Sequence, residues 1–133
     1  MAKLLTILNL IMLPKGHNYH FNAFLHSDEV DCRCNRNTCH YTLVNPMLIQ
    51  YFYEIRLEMT RPLVVTSLFR CQEHNSSDEV GGVPHSSHTT GNAIDISLNG
   101  LSGLEKSNLI DLFNDKFIYT KIYRNFIHCQ LNP

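Results

Sequence analysis

At 133 residues the chain is long enough for a real hydrophobic core and short enough that one domain, residues 1–133, is the expectation. Its 44% hydrophobic and 17% charged residues match an ordinary soluble globular protein, and a net charge of −1 supplies no basic field for nucleic acid. Eight histidines is a high count for this length and turns attention to metal chemistry.

The chain opens with Met-Ala-Lys and the apolar run Leu4–Leu13, broken by Asn9 and followed by Pro14-Lys15-Gly16. The run is far too short to span a bilayer. It lacks a small-x-small cleavage site and makes no convincing signal peptide, so it reads as an integral first strand or helix, with a cleaved signal as the alternative. The first 40 residues read as irregular, with a turn or helix start at Ser27-Asp28-Glu29. Five cysteines form an odd set, so at least one stays unpaired in a monomer. Cys32-Arg33-Cys34 with Cys39 offers a small metal knuckle, a disulfide or unlinked loop thiols. The C-x-x-C pairs of a zinc ribbon are absent, which favours unlinked thiols and leaves the redox compartment open.

Asn45-Pro46 predicts a helix start, an asparagine cap followed by a proline whose missing N–H does no harm. Leu48, Tyr51, Phe52, Ile55 and Met59 then recur at helical spacing, and Arg61-Pro62 ends the segment. Leu63–Ser67 reads as a buried strand rich in β-branched residues. A polar loop containing Gly81-Gly82 leads to His88. Ala93–Ser97 reads as a strand with Ile94 and Ile96 on one face and Ala93, Asp95 and Ser97 on the other. Ser102 with Glu105 three residues on forms a capping box for a second helix carrying Leu104, Leu109, Ile110, Leu112 and Phe113. Phe117–Tyr123 and Phe126–Gln130 read as strands joined at Arg124-Asn125. The fold class is therefore α+β, with a small, mostly antiparallel sheet and two main helices.

Within that frame His88 and Asp95 lie seven residues apart with Gly91 and the small Ala93 between them, and His128 sits in an apolar strand. Two imidazoles and one carboxylate suit a zinc ion with an open coordination position, in a cleft on the sheet. Such an ion keeps about one net positive charge, polarises a carbonyl and lowers the pKa of bound water toward ~7. Arg70, just after a buried strand, suits a fixed bidentate anion clamp, with a plain surface arginine as the alternative.

The wider pattern resembles the zinc D-Ala-D-Ala carboxypeptidase family, which includes vancomycin-resistance D,D-dipeptidases and many phage L-alanyl-D-glutamate endopeptidases, and whose zinc fold the Hedgehog signalling domain shares. The resemblance is carried by Ser67-Leu68-Phe69-Arg70-Cys71 through Asn75, by Val80-Gly81-Gly82 through Ser86-Ser87-His88, by Gly91-Asn92-Ala93-Ile94-Asp95, and by Phe126-Ile127-His128. His20-Phe21 through Ser27-Asp28 is similar to the family's lead-in, so about residues 20–130 are covered. The resemblance implies one zinc ion held by His88, Asp95 and His128. It implies a catalytic and substrate-binding Arg70, and a Ser86 that either bonds substrate or caps its loop. The implied activity is hydrolysis of peptidoglycan stem peptides at the bacterial cell wall, of D-Ala-D-Ala carboxypeptidase or endopeptidase type. A monomer without nucleic-acid partner or membrane span is implied, delivered by phage release or on a virion.

Four positions depart from the family pattern. Leu68-Phe69 replaces Gly-Tyr. Asn125 stands where an acid commonly serves as general base, and Gln130 where short relatives carry aspartate. Asp78, Glu79, His85 and His74 are the remaining candidate bases. Loss of a general base costs about 10²–10⁴-fold. The alternative reading is therefore a slow or inactive zinc-binding module, or a virion-associated structural domain of the same fold.

Overall fold

A computed structural model describes residues 10–132. It is an α+β fold, as the sequence predicts. In chain order it comprises β1 (Ile11–Pro14), β2 (His20–Asn22), β3 (Leu25–His26), α1 (Ser27–Val30), β4 (Tyr41–Val44), α2 (Pro46–Met59), β5 (Val65–Ser67), α3 (Gln72–Asn75), a 3₁₀ turn (Ser87–Thr90), β6 (Ala93–Ser97), α4 (Gly103–Lys116), β7 (Tyr119–Ile122) and β8 (Phe126–Gln130). The principal sheet is antiparallel with strand order β5-β6-β8-β7, and two small ribbons, β1-β4 and β2-β3, flank it.

The local signals act where the sequence places them. Asn45 Oδ1 accepts from the Met47 N–H, and Pro46 opens α2. Ser102 and Glu105 complete the reciprocal capping box of α4. Leu48, Phe52, Ile55 and Met59 form the buried face of α2. On α4 the buried residues are Leu109 and Phe113, whereas Leu104 is 73% exposed. Five residues at about 100° each turn Leu104 some 140° away from Leu109, so one face cannot bury both. Lys116 of α4 reaches Glu54 of α2 at 2.9 Å and ties the two helices at their edge.

The first 40 residues hold more order than predicted. β1 pairs with β4 from Ile11↔Val44 to Pro14↔Tyr41, a pairing that local periodicity does not reveal. The tail of the apolar N-terminal run belongs to β1; the part up to Asn9, and with it the question of a signal segment, lies outside the described residues. No disulfide forms among the described residues, where all five cysteines are free thiols. The thiols are thus unlinked, as expected, but four of them, Cys32, Cys34, Cys39 and Cys71, converge. Cys71 completes the group from 32 residues downstream of Cys39, which spacing within the cluster does not disclose.

Strand alternation positions the site. Ile94 and Ile96 of β6, and Ile127 and Cys129 of β8, enter the hydrophobic core. The intervening Asp95, Ser97, His128 and Gln130 face the opposite side and line a cleft of about 900 Å³.

Candidate metal centre

His88, Asp95 and His128 each offer a ligand atom, and the three atoms lie within 4.8 Å of one another. Asp95 and His128 are direct register partners on β6 and β8. His88 arrives from the 3₁₀ turn. Gly91 closes that turn at φ +71°, and a Cβ there would fall 2.1 Å from the Leu43 carbonyl oxygen. Only glycine satisfies both the left-handed backbone and the close approach to β4.

The hydrogen-bond partners determine which ring nitrogens carry protons. His88 Nδ1 is 2.7 Å from the Leu68 carbonyl, which can only accept, so Nδ1–H donates and Nε2 is bare. That Nε2 is buried without a hydrogen-bond partner, 3.2 Å from Asp95 Oδ1. The Gln130 amide N–H donates to Asn132 O at 2.7 Å, which leaves Gln130 Oε1 to accept from His128 Nε2 at 2.8 Å. His128 Nδ1 then faces the same Asp95 Oδ1 at 2.9 Å. Wherever the imidazoles are neutral they aim two lone pairs at one carboxylate oxygen, so the arrangement calls for a cation between them, a metal ion or a proton. Ligands about 2.05 Å from zinc in a tetrahedron are separated by about 3.3 Å, close to the spacings found. The donor set therefore fits zinc, and Leu68 O and Gln130 act as the outer partners that hold each imidazole in its ligand tautomer.

Protons compete with a metal ion for these positions. Burial raises the Asp95 pKa, but hydrogen bonds and charge from His128 and His88 outweigh it and bring the carboxyl down to about 2. Burial lowers the His128 pKa, yet Asp95 and Gln130 reverse this and hold it above its ordinary value.

Arg70 lies beside the three, its side chain 13% exposed. Its Nη1 donates to Asn75 Oδ1 at 2.9 Å and its Nε to Ser67 Oγ at 3.3 Å, while Nη2 stands 3.9 Å from Asp95 Oδ2. Burial lowers the guanidinium pKa, with Asp95 opposing. A cation so poorly hydrated favours an anionic ligand. Arg33 and Lys121 also line the cleft, whose only carboxylate among the described residues is Asp95. The cleft is thus locally cationic although the whole chain carries −1.

Ser86 lines the cleft, and its Oγ accepts the His88 N–H at 3.3 Å, so it caps the turn that carries His88. Of the candidate bases, Asp78 and Glu79 do not line the cleft. They sit in a turn closed by the Val80 and Gly81 N–H groups, which donate to the Ser77 carbonyl. His74 is buried with Nδ1 3.3 Å from Arg36 Nη1, and burial first and Arg36 second lower its pKa. His85 lines the cleft, is exposed, and makes no hydrogen bond among the described residues.

Sequence reasoning assigned no role to Asn75. It is fully buried and joins Arg70 to the glycine loop: Oδ1 accepts from Arg70, Nδ2 donates to Val83 O at 3.0 Å, and its carbonyl accepts the Gly82 N–H at 2.8 Å. A Cβ on Gly82 would sit 2.1 Å from Asn75 Oδ1, which explains the second glycine of the pair. The order Arg-x4-Asn…Gly-Gly was visible, but no periodicity marks a buried polar side chain bonded across a loop.

Fold and donor set together define a class: a small α+β protein with a metal-competent His–Asp–His cluster and a buried arginine in one cationic cleft. A family model described as Peptidase M15 matches residues 20–130. The chain belongs to this family of zinc-dependent peptidases. Neither the curated proteins nor the solved structures yield a match. Among the described residues, no helix is long and apolar enough to cross a membrane.

Proposed function

We propose that this protein is a zinc peptidase that hydrolyses peptide bonds in peptidoglycan stem peptides. The observation that carries the reading is the pair of bare imidazole nitrogens aimed at Asp95 Oδ1, within a cleft where Arg70 has a donor to spare. His88, Asp95 and His128 would hold the ion, which supplies a Lewis acid that activates water and polarises the amide carbonyl. Arg70, anchored by Asn75 and Ser67, presents Nη2 to a substrate carboxylate or to the charge developing on the carbonyl oxygen. Arg33 and Lys121 extend the positive potential along the cleft, which suits stem peptides with their free carboxylates. Ser86 holds the His88 turn and lines the substrate path. His85 is the lining imidazole free to accept the proton released as water attacks. The bond cleaved is of D-Ala-D-Ala or L-Ala-D-Glu type, in the bacterial wall, with a phage as the source of delivery.

A second reading is supported by the cleft's shortage of acids. With Asn125 and Gln130 in the positions of carboxylates, and Gln130 committed to His128, the same site can bind zinc and peptide with little turnover. Incubating the zinc-loaded protein with purified muropeptides and measuring product masses decides between the two. Cleavage that disappears in His88→Ala supports the peptidase; zinc and muropeptide binding without cleavage selects the binding module.

A further inference from the structure

The four converging cysteines lie apart from this cleft, except that Cys71 directly follows Arg70. Their sulfurs are spaced 3.6 Å for Cys32–Cys34, 3.8 Å for Cys32–Cys71 and 3.7 Å for Cys34–Cys71, with the Cys39 sulfur within 4.8 Å of each. A regular tetrahedron of thiolates about 2.3 Å from zinc has edges of about 3.8 Å. A disulfide needs sulfurs at about 2.05 Å, and no pair approaches that. Cys32, Cys34 and Cys39 are buried, so the group is closed by protein.

The surroundings are those of thiolates. Backbone N–H groups of Cys71 and His74 point at the sulfurs of Cys32 and Cys71, each at 3.4 Å. Lys15 brings its ammonium 3.3 Å from Cys39 Sγ and 3.8 Å from Cys34 Sγ, and anchors on the Cys34 carbonyl. Four thiolates around a divalent ion leave a charge of −2, and this lysine with the two amides offsets part of it. Four uncharged thiols would give Lys15 no anion to meet.

We propose that Cys32, Cys34, Cys39 and Cys71 bind a second, structural zinc ion. Four protein ligands leave no open position, so the ion is not catalytic. It stands in for the core that a short, loop-rich segment cannot build: the loop from Cys32 to Cys39 has no strand or helix of its own. It also fastens that loop to Cys71, the residue between Arg70 and α3, whose last residue is Asn75. The cysteine ion thereby holds both ends of the Arg70–Asn75 hydrogen bond in place. Cys129, buried in the core, takes no part.

The test is metal counting on the full chain with variants that empty one site at a time. The native protein should carry two zinc ions and His88→Ala/His128→Ala one. The latter variant, loaded with cobalt(II), should bind one equivalent with an intense thiolate-to-cobalt charge-transfer band. Cys39→Ser should lose that band, and Cys129→Ser should keep both ions. If Cys39→Ser fails to fold, the cobalt spectrum of the double-histidine variant still decides. A double-histidine variant without metal, a cobalt spectrum without a thiolate band, iron in place of zinc, or disulfides found by alkylation and mass measurement of the native protein would each overturn the proposal. Failure of the peptidase reading shows up separately, as a metal count that loss of both histidines leaves unchanged.

Discussion

Asn75 offers the sharpest test of how the cleft is held together. Asn75→Ala removes the acceptor for a charged donor, worth about 1.5–3 kcal/mol, and the donor to the Val83 carbonyl, worth about 0.5–1.5 kcal/mol. The sum is a loss of about 2–4.5 kcal/mol. For a chain of this length each kcal/mol moves the melting temperature by about 3–5 °C, so a drop of about 6–23 °C is expected by circular dichroism. Arg70 then keeps only its Ser67 contact and swings, and kcat/KM on muropeptides should fall between about ten- and a hundredfold. Bound zinc at the His–Asp–His cluster should not change, because Asn75 touches none of the three ligands. Asn75→Asp separates the two effects: it restores the acceptor and part of the stability while neutralising Arg70, so activity stays low. A melting temperature within about 3 °C of the native value, or an unchanged kcat/KM in the alanine variant, would refute the reasoning.

Three further outcomes are expected. Gln130→Ala removes the acceptor that sets the His128 tautomer, and zinc affinity at that cluster should weaken about 10–100-fold in a competition titration while the fold persists. Gly91→Ala combines a left-handed residue with a Cβ 2.1 Å from backbone that cannot yield, so it should cost at least about 2 kcal/mol in denaturant unfolding. Zinc binding should weaken as pH falls: the metal takes His128 deprotonated, and in the metal-free protein Asp95 and Gln130 hold that imidazole's pKa above its ordinary value despite burial. Affinity is thus regained as pH rises through the raised value, and Gln130→Ala should shift the midpoint of zinc release on acidification; an unshifted midpoint would count against the assigned hydrogen bond.

Local chemistry written along the chain was enough for much of this molecule. Asn45-Pro46, the Ser102–Glu105 box and the alternation in β6 each act over a few residues, so helix starts and the inward face of Asp95 were legible without a structure. The His88, Asp95 and His128 triplet was legible as a set because its residue types and order resemble a family pattern. That they converge is a tertiary fact, made by the Asp95↔His128 register and the glycine turn at Gly91. Roles that rest on contacts between distant segments were decided only by folding. Cys71 joins a cluster 32 residues upstream, Ile11–Pro14 pairs with Tyr41–Val44, Asn75 braces Arg70 against the glycine loop, and Asp78 and Glu79 turn out of the cleft. The physical reason is the same for all of them. Periodicity and capping report energies between neighbours in sequence, whereas buried polar and sulfur ligands are selected by partners that only closure of the chain brings within about 4 Å.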